Sequence, residues 1–366
     1  MALNPAYSDQ ERRFAGAFDL LRAGVEQRAF PGAALAVTLG DELVALKAVG
    51  RFTYDAGSPE VTPDTIFDLA SVSKIIATTP MAMILYQRGL LDLDTPVQAI
   101  VPEFAGADAR RAEVSIRMLL AHCSGLPAYV PLFEQANTRD ALLLAACRVP
   151  LEAAPGERTE YSDIGFIIVG EALTGLAGEP LDSFCQREIF GPLSMAHTCF
   201  NPGPAWKPHI PPTADDRRFR HGIVQGEVHD ENAWVMGGVA GHAGVFAPAL
   251  DVARFAHALL RGGGPILRPP TLDAFAQRQD TPLGSPRALG FDVPSQPSQS
   301  GRYFSARSLG HLGFTGTSLW MDRERGLGVT LLSNRTWPDR GSRAIQRIRP
   351  AVHDAAIQAL GLDHGN

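Results

Sequence analysis

Ile66-Phe67-Asp68-Leu69-Ala70-Ser71-Val72-Ser73-Lys74-Ile75-Ile76 places a nucleophile beside a base of its own. An apolar segment leads into Ser-x-x-Lys and apolar residues follow, so the tetrapeptide opens a helix whose first turn puts residues three apart on one face. The Lys74 amine then lies against the Ser71 hydroxyl. Serine is a weak nucleophile until a neighbour takes its proton, and the positive end of a helix favours the developing alkoxide. With 18 serines and three lysines in 366 residues, chance supplies a Ser-x-x-Lys in about one such chain in seven. The identity of the base carries more weight than the spacing. Of 33 basic residues only Lys47, Lys74 and Lys207 are lysines. Arginine keeps its proton at accessible pH, whereas a buried amine can be made neutral, and Ile75 and Ile76 point to burial.

Two further pieces lie downstream. Tyr161-Ser162-Asp163 follows Pro155-Gly156-Glu157 and precedes Gly165-Phe166, placing a phenol at the head of a helix, where it can turn into a cleft or serve as a buried structural tyrosine. Gly310-His311-Leu312-Gly313-Phe314-Thr315-Gly316 sits in a strand-like run. Glycine at that density weakens a strand unless something approaches its backbone closely, and substrate pairing along the edge is such a reason.

The surrounding pattern gives the architecture. Residues 9–28 carry apolar positions at helical spacing and end before Pro31, and two apolar runs, Ala33 to Thr38 and Glu42 to Val49, flank Gly40-Asp41 as a hairpin. From Ile75 to Ala177 the periodicity is helical. Residues 201–250 are rich in Gly, Pro and His and read as long functional loops. After a helix near 250–260 come three strand-like runs, Ala288 to Val293, Gly310 to Met321 and Leu327 to Ser333, and a terminal helix over 343–360. Two strands at the start and three at the end make one antiparallel sheet of an α+β fold, with the first and last helices on one face. Residues 1–74 and 245–366 then form a discontinuous sheet-and-helix domain, 75–244 a helix-rich lobe, and the cleft between them the default site.

Ser-x-x-Lys, Tyr161-Ser162-Asp163 and His311-Leu312-Gly313, in this order and at these separations, resemble the serine β-lactamase and penicillin-binding protein superfamily in its class C-type branch. The resemblance runs from about Phe30 to Leu360 and includes Met118 to Pro127, Pro155-Gly156-Glu157 and Leu331 to Arg335. The loops Gly226 to Asn232 and Gly237 to Gly244 are similar to those of serine hydrolases and cell-wall-fragment amidases. The resemblance implies a β-lactamase/transpeptidase-like fold. It makes Ser71 the acylated nucleophile, gives its proton to Lys74 and Tyr161, and forms the oxyanion hole from the backbone N–H groups of Ser71 and Phe314. It implies neither metal nor cofactor. Asp163 stands where many relatives have Asn; it is expected to bond Lys74 and keep it charged, leaving Tyr161 as the main base. His311-Leu312-Gly313 stands where many have Lys-Thr-Gly, so a fixed cation and a hydroxyl for a substrate carboxylate are missing and β-lactam hydrolysis is expected to be weak or absent. His311, Gly313, Asp163, His229, Asn232 and His242 are the expected substrate-binding residues.

Composition bounds the alternatives. A net charge of -6 without a basic stripe excludes an ordinary nucleic-acid binder. The longest apolar run, Ile75 to Tyr86, is interrupted by Thr78, Thr79 and Pro80 and falls short of the roughly 20 residues a membrane span needs. Cys123, Cys147, Cys185 and Cys199 show no CxxC pair and read as reduced thiols; with no signal-peptide pattern at the start, the expected location is the cytoplasm. His229, Asp230 and His242 lack metal-ligand spacing. The expected activity is cleavage of an amide or ester in a small-molecule substrate through acyl-Ser71, first a peptidoglycan-derived or D-amino-acid amide. The alternatives are a broad carboxylesterase on short acyl esters and a non-catalytic penicillin-binding-like module.

Overall fold

The computed structural model describes residues 3–295 and 298–363. Its main sheet contains β1 (Asn4–Pro5), β2 (Gly32–Leu39), β3 (Glu42–Gly50), β4 (Leu309–Leu312), β5 (Ser318–Asp322) and β6 (Leu327–Ser333), in the order β1-β3-β2-β6-β5-β4. Neighbours are antiparallel except the short β1, which runs parallel to β3. The principal helices are α1 (Ala15–Glu26), α2 (Thr79–Gln87), α3 (Arg139–Arg148), α4 (Asp163–Ala177), α5 (Ala249–Leu260) and α6 (Ile345–Gln358).

The pleat of β2 sorts its side chains by period two. Ala33, Leu35 and Val37 meet Phe14, Phe18, Ile348 and Val352 under α1 and α6, while Ala34 and Ala36 face the opposite side with Phe255 and Ala256 of α5. Phe14 and Phe18 are fully buried, and each contributes about 2–3 kcal/mol on leaving water. The second core runs without a break from the α5 face of the sheet through α2 into α4. The helix α4 is apolar nearly all round because it crosses the centre of that core. The Ser162 hydroxyl caps its start by accepting the Gly165 N–H at 3.0 Å, and Gly178 ends it at φ +69°. Among the described residues, no single helix is long and apolar enough to cross a membrane.

Two strand expectations are corrected. Residues 288–293 form a tight loop, in which Ala288 N–H donates to Phe291 O and Gly290 stands at φ +81°, a conformation that breaks a strand. The run from 310 to 321 is two strands, β4 and β5, joined by a turn over 313–317. The sheet therefore still receives three strands from the C-terminal part of the chain.

Candidate active site

Phe67–Asp68 pairs with Val245–Ala247 and delivers the chain into a 3₁₀ turn, Ala70–Val72, then a π turn, Lys74–Thr78, and finally α2. This geometry brings Lys74 Nζ to 3.0 Å from Ser71 Oγ. From the head of α4, Tyr161 Oη reaches to 2.7 Å from Ser71 Oγ and 2.7 Å from Lys74 Nζ. Asp163 Oδ1 accepts from Lys74 at 2.7 Å and from Tyr161 at 2.9 Å. The three motif residues and Asp163 thus form a closed ring of contacts around a lysine that is completely buried. Lys47 pairs with Glu11 at the surface.

A fourth contact of Lys74 comes from the backbone, the His242 carbonyl at 2.9 Å. Two of the four partners, the Asp163 carboxylate and that carbonyl, only accept. A neutral amine has two N–H groups to satisfy them and a lone pair left for the Ser71 or Tyr161 hydroxyl. The electrostatics run the same way. Burial lowers Lys74 below the ordinary lysine value despite the opposing Asp163 charge. Burial and then the same carboxylate hold the Tyr161 phenol well above its ordinary value. Asp163 bonds Lys74 as expected and its charge raises the amine, but burial outweighs it and lowers the amine overall, while the phenol is held well above its ordinary value and keeps its proton.

The nucleophile turn is held by a residue that sequence reasoning missed. Asp68, buried, accepts the Ala70 N–H at 2.8 Å through Oδ1 and the His229 N–H at 2.6 Å through Oδ2. Ala70 stands at φ +47°, a strained position directly before Ser71. Thr315 Oγ1 donates to Asp68 O at 2.7 Å and Thr317 Oγ1 to Leu69 O at 2.8 Å, which ties the β4–β5 turn to the same segment. Gly313 makes that approach possible, because a Cβ there would lie 2.5 Å from the Leu69 carbonyl oxygen. Its backbone is approached closely, as the glycine density implied, but by the nucleophile segment itself. Gly241 acts similarly on the other side: a Cβ would lie 2.1 Å from Phe166 O of α4, and this contact seats the loop that offers the His242 carbonyl. A lone Asp two residues before a strained alanine leaves no sequence signal.

These groups open into a cleft of about 890 Å³. Ser71, Tyr161, Asp163, His311, Gly313 and Phe314 line it, with His229 and His242. His311 Nδ1 contacts the Leu312 carbonyl at 2.8 Å and so carries the hydrogen, leaving Nε2 bare; burial, then Lys74, holds this ring well below the ordinary histidine value. His122 braces Tyr161 from behind, ring to ring at 4.8 Å, with Nδ1 accepting the Ser162 N–H. Burial brings His229 down to about 3, and the His242 ring bonds Asp230 Oδ1 at 2.7 Å. Asn232 is a correction. It is fully buried, its Oδ1 accepts the Phe133 N–H and its Nδ2 donates to Val130 O, so its side chain pins the 130–133 loop and does not line the cleft. The cleft also receives Arg287, Arg335, Arg340, Arg343 and Arg349; of these only Arg335 lies in a stretch that carries the resemblance, and the sequence gives none of the five a role. Among the described residues, no group of three or more His, Cys, Asp or Glu side chains is placed to hold a metal ion.

A serine in contact with a buried lysine and a tyrosine at the mouth of an α+β cleft is the site of a serine hydrolase. The chain belongs to the β-lactamase family, whose model matches residues 17–353. It is 32% identical over 345 residues to an N-acetylmuramyl-L-alanine amidase of Bacillus subtilis strain 168, covering 84% of this chain and 77% of the relative. It is 30% identical over 346 residues to an Escherichia coli K12 protein that carries the provisional name D-alanyl-D-alanine carboxypeptidase, covering 84% and 79%. The class C β-lactamase of Rhodobacter sphaeroides shares the fold at a TM-score of 0.72 and 20% identity, over 94% of this chain and 99% of that one.

Proposed function

We propose that this serine hydrolase cleaves a small amide of cell-wall origin, of the kind that joins N-acetylmuramic acid to L-alanine, through an acyl intermediate on Ser71. The observation that carries the reading is the ring of contacts joining Ser71 Oγ, Lys74 Nζ and Tyr161 Oη, all within 3.0 Å. Ser71 Oγ attacks the amide carbonyl while Lys74 takes its proton, directly or through Tyr161. The backbone N–H groups of Ser71 and Phe314 receive the oxyanion. The stored proton passes to the leaving amine as the C–N bond breaks, leaving an ester on Ser71. A water then gives one proton to the same pair, attacks the ester and releases the acid, returning the proton to Ser71.

The identity of 32% to an amidase acting on N-acetylmuramyl-L-alanine supports the substrate class. The neutral His311 supports the alternative of a carboxylesterase, since it adds no fixed charge beside the scissile bond, and it also argues against β-lactam turnover. Four free cysteines support placing the reaction in the cytoplasm, where it would serve recycling of wall fragments.

The test is product analysis by mass spectrometry with muramyl dipeptide, a D-Ala-D-Ala-terminated peptide, p-nitrophenyl butyrate and nitrocefin. The reading expects N-acetylmuramic acid and L-alanyl-D-isoglutamine, absent with Ser71→Ala. Turnover of the ester alone replaces it with an esterase, and release of D-alanine alone replaces it with a carboxypeptidase.

A further inference from the structure

Four carboxylates line the cleft, and each is already engaged. Asp163 meets Lys74, Asp230 meets the His242 ring, Glu231 meets Arg340 and Asp292 meets Arg287. Three lining arginines remain, Arg335, Arg343 and Arg349, and among the described residues none has a carboxylate within ion-pair distance.

Arg349 is the decisive one. It projects from the second turn of α6, is 5% exposed, lines the cleft and makes no hydrogen bond to any described group; its Nε is buried without a partner. Burying an unpaired guanidinium is strongly unfavourable, and a purely structural role would be filled better by an apolar side chain. Arg335 is oriented by backbone carbonyls, with Nε donating to Phe314 O at 2.7 Å and Nη1 to Ser342 O at 3.0 Å, so its charge is fixed in place but not neutralised. Arg343 is exposed at the cleft mouth. The first turn of α6, through Ile345 and Gln346, lines the same wall, and α6 starts without a side-chain cap. A helix N-terminus and planar guanidinium forks favour the same ligand.

We propose that Arg349 and Arg335, with Arg343 at the mouth, form a subsite for an oxyanion group of the substrate, a carboxylate or a phosphate, remote from the bond that is cut. The subsite rests on the reading of this cleft as the substrate site and narrows the substrate to an anionic fragment. Anion recognition is thereby moved from the strand position held by His311 to the wall made by α6 and the segment before it.

The test uses the full chain carrying Ser71→Ala and measures calorimetric binding of muramyl dipeptide, which has one free carboxylate, of its carboxamide, and of inorganic phosphate against matched sodium chloride. The acid is expected to bind about tenfold more tightly than the amide, and Arg349→Met is expected to bring the two within about threefold. The exposed Arg343→Ala lowers the same ratio by about threefold. Phosphate binding that is lost with Arg349→Met, without discrimination between acid and amide, supports the subsite with phosphate as its group. Independence of every probe from Arg349 overturns it. Melting temperature separates a packing role: an unpaired buried cation predicts that Arg349→Met melts no lower than its parent, whereas a lower melting point with an unchanged binding ratio overturns the subsite. Fluorophosphonate labelling of Ser71 in the unaltered protein reports on the hydrolase reading alone. Its absence beside a preserved preference for the acid removes that reading and leaves the anion site standing.

Discussion

Lys74 Nζ lies 2.7 Å from Asp163 Oδ1, with the lysine side chain wholly excluded from solvent. Two opposing influences therefore meet on one amine: burial lowers it, and the carboxylate raises it by less. Asp163→Asn removes the influence that raises it. If Lys74 is the base, the acid limb of kcat/KM marks its deprotonation and moves to lower pH in the variant, by about one unit. A limb that moves to higher pH, or that follows Tyr161→Phe instead, contradicts this assignment.

Asp68 carries a different pH signature. Burial raises its carboxyl from the ordinary 3.8 to about 6 against the hydrogen bonds from Ala70 and His229. Between those values the folded protein holds a proton that the unfolded chain has released. The contribution is complete below pH about 4 and is lost as pH rises through about 6, a change on the order of 3 kcal/mol. Asp68→Asn removes that dependence. Urea unfolding of both proteins at several pH values should show the parent losing stability relative to the variant on going from pH 4 to 7, and parallel curves would reject the claim. Activity should also fall, because an Asn side chain accepts from only one of the two N–H groups and its amide faces the other.

Gly313→Ala pushes a methyl group against the Leu69 carbonyl, and backbone cannot swing aside as a flexible side chain would. The β4–β5 turn and the nucleophile segment must separate, which displaces the Phe314 N–H that the proposed reaction uses to receive the oxyanion. A loss of about 10²-fold in kcat is expected, with a smaller change in KM. Unchanged kcat would show that the Phe314 N–H takes no part in the reaction.

Much of this was written locally in the chain. Ser71 and Lys74 are three residues apart on one helical turn, and Ser162 caps the helix that carries Tyr161 and Asp163, so spacing alone brings each set into register. The sheet followed from period-two runs, and its errors fell where glycine decides the backbone, at Gly290 and in the 313–317 turn. The parts that were not legible act across long separations. The His242 carbonyl reaches Lys74 through a loop packed on α4, the Asp68 carboxylate holds a residue 161 positions away, and Arg349 is distinguished from its fellow arginines only by what does not surround it. Asn232 lay in a loop that looked functional as a whole, and only its two bonds to the 130–133 backbone show that it holds the loop.

The central claim is a serine activated by a lysine that must lose its proton. Its most direct test is intact-protein mass spectrometry during exposure to a fluorophosphonate, comparing the parent with Ser71→Ala and Lys74→Arg. One adduct is expected on the parent, none on Ser71→Ala, and labelling slowed by about 10²–10⁴-fold on Lys74→Arg, since a guanidinium keeps the charge and cannot accept the proton. Adduct formation on Ser71→Ala, or undiminished labelling of Lys74→Arg, would contradict it.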